Sequence, residues 1–308
     1  MKLVFLDKAT LGNDINLNLF NKFGEVKIYE TTTKEQSLSR VKNCDIVITN
    51  KVVITKEIMD NSSIKLICIA ATGTNNVDLE YAKSRGIQVK NVSNYSTSSV
   101  AQHTFALALE LIEKTNYYTD YVKNGNWEKS KIFTHIEKPF NELENKNWGI
   151  IGLGSIGKKV ATIAKSFDCN VSYYSTSNMN KDTNYKMLSL KELLKTSDII
   201  SIHCPLNDNT YKLLNKSNLH TIKDGAILLN LGRGGIINES DLAETLDSKD
   251  LYCGLDVLEI EPIQKNNPLN FIKNKHKLII TPHIGWSSIE ARNRLVVGII
   301  KNIEEYLK

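Results

Sequence analysis

The residues Gly152-Leu153-Gly154-Ser155-Ile156-Gly157 follow directly on the apolar run Trp148-Gly149-Ile150-Ile151, and they stand at the middle of a 308-residue chain. Between a strand and a helix, the first glycine of such a run permits the tight turn and the second lets the main chain approach a pyrophosphate. The third lets the helix pack on the strand. A helix over residues 158–167 would aim its unpaired N–H groups and positive dipole end at that phosphate. Glycines also mark ordinary turns, so the surroundings must decide. A chain of this length makes about two domains at roughly 150 residues each, and the central position implies a folded unit on either side.

Composition removes several classes of function. The opening run Met1-Lys2-Leu3-Val4-Phe5-Leu6-Asp7 is too short for a secretory apolar region, and no stretch approaches the roughly eighteen apolar residues of a membrane span, so a cytoplasmic protein is expected. Cys44, Cys68, Cys169, Cys204 and Cys253 are scattered singly. Without paired spacing they indicate neither a disulfide framework nor a zinc site, and no metal is expected. They read as small buried apolar residues. The net charge of +5 is spread among many asparagines and glutamates, and the basic stretch Lys273-Asn274-Lys275-His276-Lys277 has no interleaved aromatics. That argues against nucleic acid while leaving a weakly favourable field for anionic substrates.

Short strand-like runs alternate with helical stretches on both sides of the glycine motif. Before it, residues 3–6, 26–29, 46–49, 66–70 and 87–91 read as one small parallel α/β unit. A helix is then expected over 99–123, long enough to bridge two domains, with serines as N-cap and Gly125 as stop. After the motif, strands are expected at 149–151, 171–174, 199–203, 227–230, 252–257 and 278–281, six in all and sufficient for a doubly wound sheet. The amphipathic segment 287–307, capped by Ser287 or Ser288, begins beyond the sixth strand and can return to the first unit.

In open α/β sheets ligands bind outside the carboxyl ends of the strands, so the residues just past each strand are candidates. After 227–230 comes Leu231-Gly232-Arg233-Gly234-Gly235, which bares a guanidinium whose fork of donors matches a carboxylate. After 252–257 comes Leu258-Glu259-Ile260-Glu261-Pro262, offering two carboxylates. After 278–281 comes Pro282-His283-Ile284-Gly285-Trp286. Each admits an ordinary reading: a solvated arginine, a surface acid, a structural histidine. Beside a nucleotide loop, the three together fit one reaction. Reduction of a 2-oxo acid by a nicotinamide hydride needs a cation for the carboxylate, an acid for the oxygen that gains charge, and a group to hold that acid. Arg233 would clamp the carboxylate and polarise the carbonyl. His283 would donate the proton, and a carboxylate would orient its ring.

The chain resembles the NAD(P)-dependent D-2-hydroxyacid dehydrogenases along nearly its whole length. The resemblance runs through Ala71-Thr72-Gly73-Thr74-Asn75-Asn76-Val77-Asp78-Leu79, Ser99-Val100-Ala101-Gln102-His103-Thr104, the glycine loop, Asn230 to Gly235, Gly254-Leu255-Asp256-Val257 and Pro282 to Trp286. It implies a Rossmann cofactor domain over 99–284 inserted into a flavodoxin-like substrate domain made of 1–98 and 285–308, with a hinged cleft between them. It makes Arg233 the substrate arginine, Glu261 the partner of the histidine, His283 the acid/base and Glu259 a bystander. Asn50, Lys51, Gly73, Thr74 and Trp286 would meet the substrate. Thr104, Gly152, Gly154, Ser155, Ile156, Gly157, Ser175, Thr176, Cys204, Pro205, Leu231, Gly232, Arg233, Asp256, His283 and Gly285 would line the cofactor. Cys204 would act as a backbone contact and not a nucleophile, since nothing beside it lowers its pKa. A homodimer formed through the cofactor domain, with the 99–123 helix near the interface, is also implied.

Within the family, Ala71–Leu79, Asn94 to His103 and Gly285-Trp286-Ser287-Ser288 are most similar to glycerate dehydrogenases, also called hydroxypyruvate reductases. Glyoxylate would fit the same pocket. Other members act on D-lactate, 3-phosphoglycerate or phosphite, but a phosphorylated substrate would call for extra arginines, and only Arg40 and Arg85 occur before Arg233. A non-catalytic NAD-sensing interaction protein of the same fold need not keep Arg233, Glu261 and His283 together. One departure stands out. An NAD-preferring unit places Asp or Glu about twenty residues after the glycines, whereas here Ser175-Thr176-Ser177-Asn178 follows the second strand. With no repelling carboxylate, three hydroxyls and Lys181 could hold a 2′-phosphate, so NAD and NADP both remain open.

Overall fold

The computed structural model describes residues 1–177 and 182–308. The chain divides into two compact units, Met1–Ser96 with Trp286–Lys308, and Thr97–Gly285. The first holds strands β1 (Lys2–Phe5), β2 (Glu25–Ile28), β3 (Ile46–Thr49), β4 (Leu66–Ile69) and β5 (Gln88–Lys90) in one sheet. The spatial order is β2-β1-β3-β4-β5 and every pairing is parallel, which is the flavodoxin-like arrangement.

Parallel strands carry helices on both faces and therefore bury both. β3 and β4 are buried at every position, and alternate residues feed opposite cores. Leu3, Phe5, Ile46, Ile48, Leu66 and Cys68 pack with Ala291, Leu295, Val296, Ile299 and Ile303 of the C-terminal helix Ile289–Tyr306. Val4, Leu6, Val47, Ile67 and Ile69 pack on the other side with Ile58, Met59 and Ala82. The C-terminal helix thus belongs to the first unit, and Ser288 caps it by accepting from Ala291 N at 3.2 Å.

The second unit contains β6 (Asn147–Ile151), β7 (Asn170–Tyr174), β8 (Lys186–Met187), β9 (Ile199–Ile202), β10 (Ala226–Asn230), β11 (Leu251–Leu255) and β12 (Leu278–Ile280). Their order is β12-β11-β10-β9-β6-β7-β8, all parallel. This is the doubly wound order with a seventh strand added at one edge. Six of these strands coincide with the expected runs. β8 does not: it is two exposed residues at the other edge, without any apolar pattern to reveal it.

The single helix expected over 99–123 is two helices, Thr97–Glu113 and Thr115–Lys123. They break at Lys114, whose φ of 55° lies in the left-handed region. No glycine or proline marks the break. Lys114 Nζ donates to Ile112 O at 3.2 Å and to Pro139 O at 2.9 Å, so a distant segment holds the corner. The helix after the glycine loop starts at Ser155, three residues earlier than expected, because Gly154 is already its N-cap.

Candidate active site

In the second unit all strands run parallel, so every carboxyl end lies on one edge of the sheet. β6 and β9, neighbours there, carry chain in opposite directions across the sheet, which is the switch point where such folds bind ligands. Gly152 leaves β6 with φ of 93°, and a Cβ on it would stand 2.6 Å from Cys204 N just past β9. A Cβ on Gly157 would meet Gly152 O at 2.3 Å, and one on Gly232 would meet Cys204 O at 3.0 Å. These glycines are required by close packing of main chain. Gly154 is different: a Cβ there would meet nothing within 4 Å. It is the N-cap of Ser155–Ser166, and no side chain caps that helix. An uncapped helix start beside unfilled space has the donors and the room a pyrophosphate needs, so Gly152, Gly154, Ser155, Ile156 and Gly157 fit a dinucleotide.

Beside the loop, burial pushes the Cys204 thiol up to about 12, so it is no nucleophile at neutral pH. Pro205 O accepts from Thr210 Oγ1 at 2.7 Å, and Leu231 is buried. His203 is held neutral, its pKa driven down to about 3 by burial.

Arg233, Glu261 and His283 are brought into one chain of contacts. Asn230 Nδ2 donates to Arg233 O at 2.9 Å and Gly232 N donates to Asn230 Oδ1 at 3.1 Å, which folds the loop back on the end of β10. Gly234 abuts Leu258, whose carbonyl oxygen would lie 1.8 Å from any Cβ. Leu258 N donates to Glu261 Oε1 at 3.0 Å, and Glu261 Oε2 lies 2.7 Å from His283 Nδ1. A carboxylate only accepts, so Nδ1 is assigned the proton and Nε2 is left to exchange one. Glu259 turns elsewhere, accepting from Tyr211 OH at 3.0 Å.

The main chain at His283 hangs on Asp256. Asp256 Oδ1 accepts from Thr281 Oγ1 at 2.6 Å and Ile284 N at 2.8 Å, and Oδ2 accepts from Gly285 N at 2.8 Å. Burial pushes this carboxyl up, but hydrogen bonds from His103, Thr281, Gly285 and Ile284 outweigh it and hold the pKa below the usual carboxylate value. Gly285 has no room for a side chain, since a Cβ would stand 2.8 Å from Asp256 Oδ2 and 3.4 Å from His103 Cδ2.

The remaining candidates divide between the units. Asn50, Lys51, Gly73, Thr74 and Trp286 lie on the first. Asn50 and Lys51 follow β3, and their N–H groups donate to Asp7 at 2.9 and 2.7 Å. Gly73 and Thr74 follow β4, where Thr74 O accepts from Val77 N. Trp286 packs edge-on to Tyr95 with ring centroids 6.2 Å apart, against the core of that unit. On the second unit, Ser175 is buried past the end of β7 and Thr176 is half-buried. Asn178 and Lys181 lie outside the described residues. The Asp182 carboxylate pairs with Lys158 Nζ at 3.1 Å, and its pKa is lowered chiefly by the Asn184 N–H and also by that lysine. Thr104 is fully buried, and its hydroxyl donates to Val100 O at 2.8 Å within its own helix. Asp7, Ser99 and His103 had no role assigned from sequence. The one signal the sequence offered was an aspartate just past a strand-like run, a position that Asp7 and Asp256 share.

A doubly wound parallel sheet with a phosphate-ready glycine loop at its switch point and a histidine–carboxylate pair on the same edge defines a dinucleotide-dependent oxidoreductase. Residues 105–285 match the model of the D-isomer specific 2-hydroxyacid dehydrogenase NAD binding domain. The chain is 39% identical to a hydroxypyruvate reductase of Blautia hydrogenotrophica over 100% of its length and 97% of that protein. It is 33% identical to a glycerate dehydrogenase of Methylorubrum extorquens, covering 99% and 96%. Among solved structures it superposes on an acyclic imino acid reductase in complex with NADPH and D-Arg, with TM-score 0.87, 31% identity and coverage of 100% and 97%. The chain belongs to the D-isomer specific 2-hydroxyacid dehydrogenase family and is an NAD(P)-dependent hydride-transfer enzyme. No helix among the described residues is long and apolar enough to cross a membrane.

Proposed function

We propose that this enzyme reduces a small unphosphorylated 2-oxo acid, hydroxypyruvate or glyoxylate, to D-glycerate or glycolate, and that Arg233, Glu261 and His283 are its catalytic residues. The observation that carries the reading is the 2.7 Å His283–Glu261 contact on the strand-end edge that also bears Arg233 and the glycine loop. When bound, the nicotinamide supplies the hydride. Arg233 binds the substrate carboxylate through its paired donors. His283 delivers a proton from Nε2 to the substrate oxygen, while Glu261 keeps the ring oriented and stabilises its charged form. Asn50, Lys51, Gly73, Thr74 and Trp286 form the substrate side, on residues 1–98 and 285–308, and 99–284 form the cofactor domain. The name of the Blautia relative supports hydroxypyruvate as substrate.

A panel of hydroxypyruvate, glyoxylate, pyruvate and 3-phosphohydroxypyruvate, each with NADH and NADPH, tests this. Hydroxypyruvate should give the highest kcat/KM, and His283→Ala should lower kcat by about 10³ with cofactor binding retained. Preference for a phosphorylated acid, or full activity of His283→Ala, would overturn it. Ser175 in place of an acid supports use of both cofactors with a lean to NADPH. An NADH preference above about a hundredfold, or ~2.7 kcal/mol, would remove that lean.

The enzyme is read as a homodimer joined through the cofactor domain. Trp127, Ile132, Phe133, Ile136 and Phe140 of that unit are exposed, Phe133 by 88%, an apolar stretch that suits a covered surface. Light scattering should give twice the 34.7 kDa chain mass, and Phe133→Asp with Ile136→Asp should give the monomer. The five cysteines are free and buried, which suits a reducing cytoplasm.

A further inference from the structure

We propose that His103, with Ser99 one turn before it, is a positioning residue that fixes the main chain on both sides of His283. The inference rests on the reading of His283 as the acid. His283 stands at φ of 55°, a conformation that residues with side chains rarely adopt and that neighbours must hold in place. Its bond to Glu261 reaches only the ring. The backbone needs other anchors: Asp256 supplies two, and one face of the helix Thr97–Glu113 supplies the others.

Two residues before His283, the Thr281 hydroxyl lies 2.6 Å from Asp256 Oδ1 and 2.9 Å from His103 Nε2. The Asp256 carboxyl is ionised at neutral pH and accepts only, so the single hydroxyl proton of Thr281 goes to it. Thr281 Oγ1 must then accept from His103, which places a proton on His103 Nε2. The same nitrogen lies 3.4 Å from Asp256 Oδ1. Two residues after His283, Gly285 O accepts from Ser99 Oγ at 2.6 Å. Ser99 and His103 are four apart in one helix and therefore share a face. A single rigid helix thus grips Thr281 and Gly285, while Asp256 holds Ile284 and Gly285 between them. With every anchor in place the main chain is held on both sides of His283, and Glu261 holds its ring. Without His103, Thr281 loses its tie to the helix, and the turn carrying His283 gains freedom on its strand side.

The test compares His103→Leu, His103→Gln and Ser99→Ala with the parent enzyme, using hydroxypyruvate and reduced cofactor, with cofactor Kd from nicotinamide fluorescence and Tm for each protein. His103→Leu should lower kcat about ten- to hundredfold, with KM and cofactor Kd within about threefold. His103→Gln, whose amide can still donate to Thr281, should recover most of that loss. Ser99→Ala should lower kcat less. A kcat unchanged in His103→Leu, or a Gln variant as impaired as the Leu variant, would overturn the proposal. Should His103→Leu fail to fold, Thr281→Val and Ser99→Ala carry the test, and wild-type kcat in both overturns it. His283→Ala run alongside separates the two readings: if it keeps full kcat, the assignment of the acid is what has failed.

Discussion

Asp7 and Asp256 solve the same problem in the two units. Each follows a strand, is buried, and receives main-chain N–H groups from the loop after the neighbouring strand. Asp7, past β1, holds Asn50, Lys51 and Val52 after β3 at 2.7–3.3 Å, with Thr49 Oγ1 at 3.3 Å. Asp256, past β11, holds Ile284 and Gly285 after β12, with Thr281 Oγ1. Buried donors need acceptors, and a carboxylate satisfies several at once. The difference lies in what is attached. The loop held by Asp7 carries the buried Asn50 and the exposed Lys51, whereas the one held by Asp256 carries His283 and is tied onward to His103. One architecture and one anchoring device therefore serve the loop proposed to bind substrate in one unit and the loop of the proposed acid in the other.

The largest expected effect separates these roles. Asp256→Ala should lower kcat about a hundredfold, as misplacement of a reacting group does, while Asp7→Ala should raise KM for the oxo acid and leave kcat within a few-fold. Both should lose about 2–3 kcal/mol of stability in urea unfolding, since each strands several donors. Equal kcat losses in the two variants would break the comparison. Next in size, Glu261→Gln should reduce kcat about tenfold, below the roughly 10²–10⁴ of a full general-acid contribution. Its cofactor Kd, read by fluorescence, should not move.

Acid should act on the Asp256 anchor in a defined window. Its pKa is held below the ordinary 3.8, so the stability it contributes is complete above that value and is lost as pH falls through the lowered one. The urea midpoint of the parent should therefore drop below about pH 4, and Asp256→Asn should show a shallower drop over the same range. Identical slopes would show that the carboxylate is not what steadies this loop.

The smallest effect on folding is expected at Gly154, where a Cβ meets nothing within 4 Å. Gly154→Ala should leave Tm unchanged and weaken cofactor binding several-fold in a fluorescence titration. Gly152→Ala, with φ of 93° and a Cβ 2.6 Å from Cys204 N, should instead lower Tm. If both variants only destabilise, the open space at Gly154 is not kept for a ligand.

The two sheets were legible because parallel strands buried on both faces appear as unbroken apolar runs, as at Ile46–Thr49 and Leu66–Ile69. β8 escaped because two exposed edge residues have no such run. The corner at Lys114 escaped because its cause, Pro139 O, lies 25 residues away. The glycine loop, Arg233 and His283 could be picked out as candidates because residue type and strand-end position already limit their chemistry, and the resemblance singled out Glu261, which does meet His283. Ser99 and His103 stood inside a recognised motif and gave no hint of their use, which depends on Gly285 and Thr281, 186 and 178 residues away.

The sequence by itself determined the local terms: which runs are strands, where glycine permits a turn beside a phosphate, and which side chains can bind a carboxylate or move a proton. These follow from dihedral preference, apolar periodicity and functional-group chemistry, all of which act within a few residues. Only the tertiary structure decided which carboxylate holds the loop of His283 and which helix that loop is tied to. Such choices rest on hydrogen bonds of about 3 Å between segments far apart in the chain, and no local pattern encodes a distance of that kind.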